Sequence, residues 1–116
     1  MSRTFSPPAM TPARLRTLAE AAAESGARWA KTEREALHAE GRRAEGGWPG
    51  TLSQARNRVS GAVARLAAPL SYEEAAWLAR TIYDCARREW LADRDPPLDA
   101  SAAGGAAHRE EEWVAE

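Results

Sequence analysis

Histidine, cysteine and paired carboxylates are the usual carriers of metal and acid–base chemistry, and in this chain they are scattered. His38 and His108 are far apart in sequence, and no His/Cys or His/carboxylate spacing suited to a metal ion is present. Cys85 is the single cysteine, so neither an internal disulfide nor a thiolate cage can form. One heptad beyond Leu78, it reads as a small buried hydrophobe rather than a reactive thiol. Gly46-Gly47 lacks the following Gly-Lys-Ser/Thr of a phosphate loop, and no nucleophile elbow occurs. Glu33 and Glu40 fall on the apolar arc of a helix, where they are either solvated or paired with arginines of a neighbour, acid–base work being the remaining reading. The expectation is a chain with no catalytic residue, no cofactor and no metal.

Contact chemistry is better represented. Between 52 and 67 the chain carries Arg56, Arg58 and Arg65 and no acid. On a helix, Arg58 and Arg65 share a side with Gln54 and Gly61, and Asn57 lies beside them. Such a face can be solvated, can meet an acidic protein or the chain's own tail, or can read phosphates and base edges. Further along, Trp77, Arg80, Asp84, Arg88 and Leu91 lie opposite an apolar face. Trp and Arg dominate binding hot spots, so Trp77, if exposed, is the best single anchor; the competing reading is that another helix covers it. Trp113-Val114 follows Glu110-Glu111-Glu112, an acidic segment with one hydrophobic anchor, of the kind that orders on a basic, grooved partner or stays an inert terminus. The candidate contacts are therefore Trp77, Arg80, Arg88, Arg58, Arg65 and Trp113.

Three helices must position these groups. Ser71 and Glu74 have capping-box spacing, and Pro96-Pro97 closes a helix over 71–95 whose apolar residues, Tyr72, Ala75, Ala79, Ile82, Ala86 and Trp90 among them, recur at three- and four-residue steps. Thr11 and Pro12 open an earlier helix. Its apolar phase is kept through Ser25-Gly26, which favours one helix from 12 to about 44, bent or straight at Gly26, over two helices broken there; a small residue there also permits close approach of another helix. Gly46-Gly47-Trp48-Pro49-Gly50 is a turn, with Trp48 placed to plug the end of a bundle. Thr51 with Gln54 caps the middle helix, running from 52 to 67, joined by a short link to the helix at 71 as a hairpin or a more open helix-turn-helix.

The predicted architecture is all-α, a small bundle of three main helices in which a long or kinked first helix packs on a helical hairpin. A flexible arm (1–10) precedes the helical domain (11–95), and a flexible acidic tail (96–116) with five acids and one arginine, net −4, follows it. At 116 residues with net charge −1, the chain fits one small module with no global field for nucleic acid or anionic membrane. No apolar run nears the roughly 20 residues of a membrane span, and the expected location is the cytoplasm. Fifteen arginines against the single Lys31 favour planar, bidentate contacts or simply reflect a GC-rich genome. Five tryptophans suggest more aromatic contact than an alanine-rich core requires. The leading functional expectation is a non-catalytic protein-binding module, an adaptor or inhibitor of a larger complex of the kind phage and mobile elements encode. A small DNA- or RNA-binding regulator using helix 52–67 is the alternative, and limited buried area leaves room for a homodimer.

Overall fold

The computed structural model describes residues 7–64, 66 and 68–96, and among these the fold is all-α. Four helices follow in order: α1 (Pro12–Ala39), α2 (Leu52–Arg56), α3 (Val59–Ala62) and α4 (Tyr72–Asp93). The long helix α1 packs on α4, as expected.

Helix α1 starts where its cap places it. The Thr11 hydroxyl accepts the Arg14 N–H at 3.1 Å, and Pro12 takes the first turn. The helix runs unbroken through Gly26 but stops at Ala39, short of the expected 44. Gly41 ends it. At φ 75° this residue is left-handed, its N–H reaches the His38 carbonyl and the Arg42 N–H reaches that of Leu37. These two bonds satisfy carbonyls the helix end would otherwise leave free, and glycine adopts the conformation at no side-chain cost.

The partnership of α1 and α4 is parallel, shown by three contacts along their length. Arg14 meets Glu74 at the start of both helices, and Gly26 meets Ile82, Cys85 and Ala86 in the middle. Arg34 meets Asp93 at 3.6 Å near the end. A parallel pair needs a connection that returns the chain to the starting end, and residues 40–71 provide it. The return limb of the expected hairpin is therefore formed by α2 and α3 rather than by one helix, α2 against α4 and α3 against both long helices.

The expected single helix over 52–67 is corrected, because it divides in two. The capping box of Thr51 and Gln54 forms, with both reciprocal bonds in place. The helix then ends after Arg56 and a separate turn of helix covers Val59–Ala62. Asn57, Ser60, Gly61 and two valines are weak helix formers, so local propensity offers little resistance to tertiary contacts that bend the backbone at Arg58.

The start of α4 has the reciprocal bonds expected of Ser71 and Glu74, at 3.1 and 3.0 Å. The same carboxylate accepts two bonds from Arg14, Nε to Oε2 and Nη2 to Oε1, each 2.9 Å, while Nη2 also donates to the Pro69 carbonyl. Arg14, followed by the Ser71 N–H, holds the Glu74 carboxyl down to about 2. The native state thus binds protons less readily than the unfolded chain, whose glutamates titrate near 4.3. Stability supplied by the pair is complete above about pH 5 and is lost as pH falls toward 2. Glu74→Gln keeps a capping acceptor while removing the charge, and is expected to flatten the acid limb of urea midpoint against pH. A variant with the wild-type limb would rule out this pair as its source.

The other end of the pair is clasped by Asp95. Its carboxylate accepts the Ala44 N–H at 2.8 Å and contacts His38 Nε2 at 2.8 Å, while its own N–H donates to the Ala44 carbonyl at 2.7 Å. The His38 bond and then the Ala44 N–H lower the Asp95 carboxyl from its ordinary value, so it contributes a residual acid slope of the same sign.

The core is alanine-lined at the seam and aromatic at one side. Leu18, Ala22, Leu78, Ile82 and Ala86 are fully buried between the long helices, with Met10 and Leu15 packed at the edge. The buried side of α4 is rotated by about a quarter turn from the expected face, toward Glu74, Trp77 and Leu78 and away from Tyr72 and Ala76. Contact with α1 at Gly26 fixes that rotation.

Candidate partner-binding surface

Three indoles meet where the return connection crosses the long pair. Trp48 sits edge to face on Trp29, with centroids 4.9 Å apart and planes at 80°, and tilts onto Trp90 at 5.6 Å. The Arg58 guanidinium lies 4.2 Å from the Trp29 ring centroid and its Nη1 donates to the Gln54 carbonyl. Trp90 donates to the Gly46 carbonyl at 3.1 Å, whereas the buried Nε1 groups of Trp29 and Trp48 have no acceptor among the described residues. Stacking and burial, rather than polar bonds, hold these two rings.

The sequence-level candidates are dispersed by this arrangement. Trp77 is 8 % exposed and belongs to the main core, so it is not an external anchor. The buried side of α4 extends far enough round to include it, the reason being the rotation just described. Arg58 is half-buried over Trp29 on the α2–α3 elbow. Arg80 is exposed on α4 and bonds Asp84 one turn on at 3.3 Å. Arg88 is exposed two turns beyond Arg80. Arg65 and Trp113 lie outside the described residues. Of the two glutamates on the arc of α1, Glu40 is exposed and pairs with Arg42 at 3.2 Å, and Glu33 is half-buried.

Cys85 is half-buried, and burial is the largest influence pushing its thiol up from the ordinary value. That agrees with a packing role. Among the described residues no three potential ligands of the His, Cys, Asp and Glu types gather as a metal site, and no helix is long and apolar enough to cross a membrane.

The rotation of α4 uncovers a different surface. Tyr72, at the first helical position after the cap, is 85 % exposed. Beside it a groove of about 470 Å³ opens between α3 and the first two turns of α4, lined by Val59, Val63, Leu70, Ala75 and Ala76, with Arg56 contributing its wall. A second cleft of about 340 Å³ lies across α3, where Arg28, Thr32, Asn57 and Arg58 border Trp29. Helix α3 therefore separates an apolar groove from a polar one.

The spacing of Tyr72 with Ala79 and Trp90 places it on the expected buried face. Its position offers the missing signal. A residue in the first turn of a helix has no preceding turn to complete the surface around it, and the partner helix here reaches that turn through Arg14 and Glu74 on the other side. No family model, curated protein or solved structure matches the chain.

Proposed function

We propose that the chain is a non-catalytic protein-binding module, an adaptor or inhibitor of a larger assembly of the kind encoded by phage and mobile elements, acting in the cytoplasm. The carrying observation is the exposed Tyr72 beside an apolar groove. Tyrosine supplies a large contact area with few rotatable bonds, and it dominates hot spots when a partner covers it. The groove walls are aliphatic, and the described stretch from Leu52 to Ala64 offers Arg56 and Arg58 with no acid. The partner chemistry this fits is an acidic segment carrying an aromatic or aliphatic anchor.

Nucleic-acid binding by the same stretch is the less supported reading. Arg58 is spent on the face of Trp29 and on the Gln54 carbonyl, and the helix that was to present it is broken at that residue. A phosphate-reading surface needs several free arginines in register along one element.

Capture from the source cell with and without nuclease, followed by direct binding to the purified partner, tests the proposal. Tyr72→Ala is expected to weaken that complex by about 30-fold or more, corresponding to about 2 kcal/mol for a hot-spot aromatic. Arg56→Glu should weaken it and steepen the penalty at low salt. Binding lost on nuclease treatment, or unchanged by Tyr72→Ala, would defeat this reading. Self-association abolished by Tyr72→Ala would assign the groove to a second copy instead.

A further inference from the structure

We infer that the chain carries its own competitor for this groove, the C-terminal stretch Glu110-Glu111-Glu112-Trp113-Val114. The inference rests on the reading of the groove as a binding surface and adds how that surface is regulated. The first argument is chemical match. The groove takes an apolar anchor between Val59, Val63, Leu70 and Ala75 beside the Tyr72 ring, and Arg56 stands on its wall. The stretch supplies an indole and a valine directly after three carboxylates. Glu74, on the inner side of the same turn, is neutralised by Arg14, and Glu73 does not line the groove, so the lining itself presents no acid to repel these carboxylates.

The second argument is reach. Pro96 stands at the far end of α4 from the groove, and the 22 residues of α4 span about 33 Å at 1.5 Å per residue. The chain from Pro96 to Trp113 can extend to about 56 Å at 3.3 Å per residue. It covers the distance with slack, which keeps the effective concentration of the tethered segment near about 1 mM. A segment with its own Kd of about 100 µM would then occupy the groove most of the time and weaken an external ligand roughly tenfold. Trp113 and Tyr72 would form the aromatic pair at the groove mouth.

The test uses the full chain and two variants, Trp113→Ala and the triple Glu110→Lys, Glu111→Lys, Glu112→Lys. Both changes lie outside the described helices, and an unchanged helical circular dichroism spectrum serves as the control for folding. In NMR spectra the methyl signals of Val59, Val63 and Leu70 and the ring signals of Tyr72 are expected to shift in both variants, independently of protein concentration. A synthetic peptide of residues 107–115 is expected to bind the Trp113→Ala chain about tenfold more tightly than wild type, since only wild type retains the tethered competitor. Unshifted groove signals, or equal peptide affinity for the two chains, overturns the inference. Shifts that disappear on dilution overturn it too, because the occupant is then the tail of a second copy. Peptide that fails to bind while Tyr72→Ala still releases a partner removes the competitor and leaves the binding surface. Peptide that binds while Tyr72→Ala leaves the partner in place removes the proposed function instead.

Discussion

Trp90→Ala is expected to destabilise the domain by about 4 kcal/mol, in the range for emptying a buried aromatic site, whereas Trp90→Phe should cost only about 1 kcal/mol. The indole is 1 % exposed and joins α4 to the return connection through Trp48 and to α1 through Ala30. Truncation removes its burial and opens a void that neighbours can fill only by moving the Gly46–Gly50 turn. Phenylalanine keeps most of the packing and loses the bond to the Gly46 carbonyl. That carbonyl is not orphaned, because Arg94 Nη1 also donates to it at 2.8 Å. The difference between the variants therefore separates packing from hydrogen bonding. Urea unfolding monitored by circular dichroism measures both, and equal losses would mean the polar bond, not the volume, holds the connection. Against a total stability of about 5–15 kcal/mol for a small domain, the alanine variant loses between about a quarter and four fifths of the margin.

The start of each long helix was legible because caps are local chemistry. Thr11, Thr51 and Ser71 each accept the N–H three residues on, and the two boxed partners Gln54 and Glu74 return their bonds. Those arrangements depend on residues within one turn, so no tertiary knowledge is needed to find them. The stop at Gly41 is equally local, since a left-handed glycine ends a helix whatever the apolar phase around it. The class of fold and the closeness allowed at Gly26 followed from periodicity and residue size.

What the sequence could not supply was the break in the return limb and the rotation of α4. A long helix followed by a hairpin already implies that α1 and α4 run parallel; the cap at Thr51 and the apolar stripe beyond it do not show that this limb divides into two short helices at Arg58. Rotation fails for a related reason. Tyr72, Ala79 and Trp90 share one phase, and Leu78 and Cys85, a heptad apart, share another, so hydrophobicity alone gives both sides of α4 a claim on the core. The choice was made by Gly26, where the backbone of α1 comes against Ile82, Cys85 and Ala86. The candidate surface inherits that decision. Trp77 is buried and Tyr72 exposed by one rotation, so of the two readings of Trp77 burial holds, and the exposed ring on this helix is Tyr72.

Gly26 should accordingly be the most sensitive position on α1. A Cβ built there would stand 2.7 Å from the Cys85 Cβ, 2.8 Å from the Ala86 nitrogen and 2.9 Å from the Ile82 carbonyl oxygen. Two of these are backbone atoms of a helix, which cannot turn aside as a side chain can. Alanine at an exposed helical glycine normally stabilises by about 1 kcal/mol, through helix propensity and the narrower unfolded ensemble. At Gly26 that gain is opposed by overpacking of about 3 kcal/mol, because relief requires the two long helices to separate along their seam. Gly26→Ala is expected to lose about 2 kcal/mol net, and Gly26→Val, which adds two further methyl groups at the crossing, about 4 kcal/mol. The control is Gly61, in α3, around which a Cβ would meet nothing within 4 Å. Gly61→Ala should raise stability by about 0.5–1 kcal/mol, so the same chemical change has opposite signs at two helical sites. Urea midpoints of the three variants decide the matter. If Gly26→Ala stabilised as Gly61→Ala does, the long helices would not be in backbone contact there, and the rotation that exposes Tyr72 would lose its physical cause.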